Sequence, residues 1–164
     1  MKIVSGLGRT TLMLGFAALV ACGGGGPSYD EDSPEGQAYE MRHAVMHVAG
    51  IKMELINNMA RETIPVDEAA FVKATRELAV LTEMMPEGFE QDLTVAESRS
   101  EPAIWENKSD FDQRMDSAIA ATARLAETAQ TSGFEAARAL VVTNPTVSSN
   151  CSGCHNTYRA PEED

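Results

Sequence analysis

Apolar residues recur at alternating spacings of three and four in separate stretches of this chain, and no run of any length alternates apolar with polar residues. A three-four spacing lines one face of a helix, whereas a half-buried strand needs a period of two. The first stretch, from about Pro34 or Gly36 to Glu62, carries Tyr39, Arg42, Met46, Ala49, Met53, Ile56 and Ala60, widened by Met41, Val45, Val48, Leu55 and Met59. "TIPVD" breaks it, and Asp67 reads as the N-cap of a second helix that carries Phe71, Ala74, Leu78, Leu81 and Met85. A long polar connection with Pro86 and Gly88 leads to a third helix, starting near Pro102 or Ser109, with Phe111, Met115, Ala118, Ile119, Thr122 and Leu125. A fourth begins near Phe134. Pro145 has no N–H to offer the Val141 carbonyl, so a kink or break is expected in "TNPT" before the helix resumes to about Arg159. Four amphipathic helices joined by mostly short loops predict an all-α fold, an antiparallel four-helix bundle over residues 37–160, followed by an acidic tail, 161–164. Nine aromatic residues are few for such a core, unless something large and flat fills part of it.

The first 21 residues stand apart. Lys2 and Arg9 precede an apolar run, "TTLMLGFAALV", which is too short for a comfortable membrane span and reads as a secretory signal. It ends in "LVAC", the pattern of a lipoprotein signal, in which Cys22 receives the lipid and becomes the first mature residue. An ordinary secreted precursor cut near Ala21 is the competing reading. Residues 22–36 are rich in Gly, Pro and acid and read as a flexible tether. Without the two basic residues of the signal, 11 of the 13 basic residues remain against 25 acids, a balance of −14. That charge argues against nucleic acid and against electrostatic attachment to anionic lipid. A periplasmic location follows, with a lipid on Cys22 holding the chain to a membrane surface. Gly23 is not the Asp that resembles an inner-membrane retention signal, which favours the outer membrane.

"CSGCH", Cys151 to His155, is the attachment pattern for c-type haem. Thiols at i and i+3 of a helix point to one side, so both can add to the vinyl groups of one porphyrin. The next residue, His155, can then serve as an iron ligand. A zinc site would need a second ligand pair, and a redox dithiol normally sits in a strand–helix–strand unit. A disulfide at this spacing would leave His155 unexplained.

With "YEMRHAVM", "PAIWENKSDF" and "CSGCHNTYR" in place, residues 36–159 resemble the class II c-type cytochromes, which include cytochrome c prime. These are four-helix bundles with the haem motif in the last helix. The family motif Cys-x-x-Cys-His-x-x-Tyr-Arg is matched by Cys151, Cys154, His155, Tyr158 and Arg159. The resemblance implies one covalent haem c. It implies that Arg42 meets a haem propionate, that Arg159 lies near the proximal face, and that the residue four after Arg42 faces the open side of the iron. That residue is Met46. High-spin members carry a non-coordinating apolar residue there and low-spin members carry Met, so the resemblance implies a His155–iron–Met46 centre. The competing role for Met46 is simple core packing. His43 and His47 read as rim or solvated positions, and Trp105 as packing. Pro145 departs from the family, whose last helix usually runs unbroken.

A saturated haem implies an electron carrier that works with an unnamed redox partner, and no catalytic residues. If Met46 does not ligate, a five-coordinate haem that binds nitric oxide or carbon monoxide is expected instead. Some relatives pair through their first two helices, so a homodimer is a further expected partner.

Overall fold

A computed structural model describes residues 28–161 of the chain. The signal, Cys22, the first part of the tether and residues 162–164 lie outside the described residues. Six helices follow one another: α1 (Pro34–Ala60), α2 (Glu68–Met84), α3 (Ala103–Glu106), α4 (Lys108–Thr131), α5 (Gly133–Val141) and α6 (Thr146–Tyr158). A 3₁₀ turn, Met85–Phe89, extends α2. The architecture is a four-helix bundle in which α5 and α6 together form the fourth member. Among the described residues, no helix is long and apolar enough to cross a membrane.

Local sequence explains most boundaries. The Ser33 hydroxyl accepts from the Gly36 N–H, and Pro34 fills a first-turn position where its missing N–H costs nothing. The Asp67 carboxylate caps α2 through the Ala70 N–H, as its position suggested. The break at Pro145 is real. α5 stops at Val141, and Pro145 stands immediately before α6.

The stretch read as tether is shorter than its composition suggested. α1 starts within it, at Pro34, and Gly36 is buried against the Asp30 carbonyl, where a Cβ would collide with backbone. Ser33 donates to the Asp30 carbonyl through both its N–H and its hydroxyl, closing the turn that leads into the helix.

The core has two compartments. The larger joins Ile56, Met59, Phe71, Leu78, Leu125, Ala137, Val141 and Val147 from α1, α2, α4, α5 and α6. Phe71 and Phe134 meet there edge to face, with ring centroids 4.9 Å apart. Thr82 and Thr122, both buried, share a hydrogen bond of 2.6 Å between α2 and α4. The smaller compartment holds Phe89, Ile104, Phe111, Met115 and Tyr158.

Candidate haem-binding site

α1 packs on α2, and α6 packs on α4 and α5, but α1 and α6 do not pack on each other. A cleft of about 640 Å³ lies between them, within the size range of small-molecule and cofactor sites. α1 contributes Tyr39, Arg42, His43, Met46 and His47 to its wall, and α6 contributes Cys154, His155 and Tyr158. The apolar side is made by Phe89, Ile104 and Phe111. The crossover before α3 supplies Glu97, Ser98, Arg99 and Ser100.

Cys154 and His155 are half-buried on the cleft wall. Cys151, one helical turn earlier, is half-buried against the larger core compartment and is not part of that wall. The two thiols are not joined to each other. Burial pushes both above their ordinary range; for Cys154 the Arg114 charge pulls the other way. Raised thiols are the opposite of what a reactive dithiol needs. Burial lowers His155, and the charges of Arg159 and then Arg99 lower it further. Its imidazole is therefore neutral at neutral pH, the form that binds a metal.

Met46 is half-buried, lines the cleft and rests on the smaller core compartment. It is thus a packing residue and a cleft residue at once. His43 and His47 are exposed at the mouth, their rings stacked at 6.1 Å, and Tyr39 stacks on His43 at 5.6 Å. Arg159 is exposed and lines the same mouth.

Arg42 has a role that its place in the helix stripe did not reveal. Its two terminal nitrogens donate to the Gly88 and Leu93 carbonyls, each at 2.8 Å. The guanidinium also sits 5.5 Å from the centre of the Phe89 ring. Gly88 permits this approach, since a Cβ there would stand 2.5 Å from Arg42 Cγ. Arg42 Nε remains buried with no partner. A buried cationic N–H on a cleft wall fits an anionic carboxylate such as a haem propionate. The indole N–H of Trp105, packed against the smaller compartment, is likewise buried without a partner.

Sequence reasoning missed a polar network behind the motif. The Tyr158 hydroxyl donates to Asp110 at 2.6 Å. Arg114 donates to Asp110 at 2.7 Å and to the Gly153 carbonyl, inside the motif, at 3.0 Å. The Tyr158 hydrogen bond and then Arg114 hold the Asp110 carboxyl below its usual range. The i, i+4 spacing of Asp110 and Arg114 was the available signal. The crossover is tied to the same end of α6. Arg99 and Ala160 exchange hydrogen bonds, and the Glu101 N–H donates to the Tyr158 carbonyl.

These residues fit a haem: a cleft between two separated helices, a neutral imidazole, two thiols one turn apart and an unpartnered buried guanidinium N–H. The sequence comparison agrees. The family described as Cytochrome C' matches residues 37–159. The chain belongs to the cytochrome c′ family. Membership implies a covalently bound haem c with its iron. The chain is 31% identical to cytochrome c-554 of Cereibacter sphaeroides over 124 residues, which cover 73% of this chain and 78% of that one. Solved relatives share the fold. Cytochrome c prime from Shewanella frigidimarina superposes with a TM-score of 0.71 at 24% identity, covering 77% of this chain and 97% of the other. A nitric oxide complex of a variant of cytochrome c prime from Alcaligenes xylosoxidans gives 0.67 at 19% identity, covering 77% and 97%.

Proposed function

We propose that this family member is a haem c module that binds a diatomic gas, nitric oxide or carbon monoxide, with Met46 governing access to the iron. One observation carries the reading: a single cleft separates His155 on α6 from Met46 on α1. A ligand approaching the metal from the side away from His155 therefore meets Met46. Support also comes from Alcaligenes xylosoxidans cytochrome c prime, which shares this fold and of which variants are solved with nitric oxide bound. One haem would be held by thioethers to Cys151 and Cys154, with His155 on the iron and Arg42 Nε facing a propionate. Bound there, it supplies a metal that changes oxidation state and takes up small ligands. The chain's own residues exclude water with Phe89, Ile104 and Phe111, keep the imidazole neutral, and brace the motif through Arg114 and Tyr158.

Electron transfer is the second reading, and Met46 itself favours it. Its thioether lines the cleft wall and is only half-buried, so it can serve as a sixth ligand and leave no open position. In either case we read the protein as a binder or carrier rather than an enzyme. We place it in the periplasm as a lipoprotein acylated on Cys22, where its redox partner would share the membrane surface.

Absorption spectra of both oxidation states, with and without carbon monoxide, test the choice in the native protein and in Met46→Leu. A high-spin ferric spectrum with ready carbon monoxide uptake supports gas binding. A low-spin spectrum whose far-red sulfur–iron band disappears in Met46→Leu supports the carrier. An unchanged spectrum in the variant eliminates Met46 as a ligand.

A further inference from the structure

The chain leading into α1 is docked beside the mouth of the haem cleft. The Ser28 hydroxyl donates to Glu97, a residue of the cleft wall. The Tyr29 hydroxyl donates to Glu40, and its ring packs edge to face on Tyr39, 5.0 Å between centroids. Tyr39 continues into the stack with His43 and His47 that forms the rim. The turn at Asp30 and Ser33 then locks this segment to the start of α1.

Covalent geometry does the rest. Cys22 lies six residues before Ser28. Even a fully extended chain of that length spans only about 20 Å. If Cys22 carries the lipid, Ser28 stays within that distance of the headgroups, and the cleft mouth begins beside it at Glu97. The opposite face of the bundle, where Arg76 and Val80 of α2 meet Ala123 and Glu127 of α4, has no such link. The rim sets Arg99, Arg159, His43 and His47 beside Glu54 and Glu97, and it includes Ile51, an apolar side chain 51% exposed.

We infer that the docked segment Ser28–Ser33 turns the mouth of the haem cleft toward the bilayer, so that lipid headgroups face the rim formed by Tyr39, His43, His47, Ile51 and Glu97. This rests on the lipoprotein reading. The consequence is directional. Gas that partitions into lipid, or a redox partner embedded in the same membrane, reaches the haem edge directly, whereas a partner approaching from bulk solvent meets the α2–α4 face.

The test uses the full-length, haem-loaded, acylated protein in phosphatidylethanolamine vesicles containing a lipid with a photoactivatable headgroup. Cross-linked peptides are mapped by mass spectrometry. Cross-links should concentrate on residues 39–54 and 97–100 and be sparse on the α2–α4 face. Inserting about 20 Gly/Ser residues after Gly26 adds roughly 25 Å of average reach and should spread them over both faces. Ser28→Ala combined with Tyr29→Ala should spread them partway. Acylated, vesicle-bound protein that cross-links both faces equally overturns the orientation alone, and so does a pattern that ignores the spacer. A chain whose mass shows no acyl group on Cys22 overturns the lipoprotein reading and the orientation together.

Discussion

Replacing Arg42 with Met tests its structural role, because Met keeps much of the side-chain volume and removes every donor. Arg42 is 5% exposed and makes two hydrogen bonds of 2.8 Å to the Gly88 and Leu93 carbonyls. Hydrogen bonds from a charged donor contribute about 1.5–3 kcal/mol each. Against that, the buried guanidinium carries a desolvation cost, visible in the way burial lowers its pKa, and Met removes that cost. The net loss expected for Arg42→Met is about 2–4 kcal/mol, since two carbonyls are also left without their donor. For a domain of this size that lowers Tm by on the order of 10 °C. Guanidinium denaturation followed by far-ultraviolet circular dichroism reads it directly. The Gly88→Ala variant gives an independent check. Its new Cβ must displace Arg42 Cγ, and overpacking of that kind costs about 1–3 kcal/mol. In an Arg42→Ala background, where no Cγ is left to displace, the same change should cost less. A stability unchanged within about 0.5 kcal/mol, the range of an ordinary surface substitution, would refute the clamp and leave Arg42 with the propionate alone.

Two further outcomes follow from buried and networked polar groups. The Asp110 carboxyl is held low in the folded protein, so its contribution to stability is present above the unfolded carboxylate pKa of about 3.9. It is lost as pH falls through the lower folded value, and Asp110→Asn should flatten that acid limb in a pH series of denaturation midpoints; an identical limb would contradict the network. Thr82→Val should cost about 1 kcal/mol by removing its hydrogen bond to Thr122, and the double change with Thr122→Val should cost less than the sum of the two single ones, because one of the bonds each hydroxyl makes is shared between them.

The four helices were legible because their stripes reflect burial itself. Ile56, Phe71, Leu78 and Leu125, all expected on apolar faces, are at most 3% exposed. The break at Pro145 was equally readable, since it follows from a missing N–H rather than from packing. The polar connection after Met85 was not. Its composition says loop, yet Phe89 closes the cleft floor and Glu97 to Ser100 form part of its wall. Tertiary contacts with Arg42 and Ala160 give that segment its shape, and neither is local in sequence. The overlap of the tether with the start of α1 has a related reason. Glycine and acid suggested solvent, but Gly36 is small because backbone passes over it. At the site, motif spacing singled out Cys151, Cys154 and His155 as candidates, whereas the role of the Asp110–Arg114 pair stayed hidden because its further partners, Tyr158 and Gly153, lie on another helix.

The central claim is a haem joined covalently to α6, and the most direct measurement is the intact mass and alkaline pyridine spectrum of the denatured chain, expressed in cells competent for cytochrome maturation. The prediction is the mature polypeptide plus one haem that survives acid–acetone extraction and gives the spectrum of a doubly thioether-linked porphyrin, lost in Cys151→Ser with Cys154→Ser. A bare polypeptide mass with no haemochrome would contradict it.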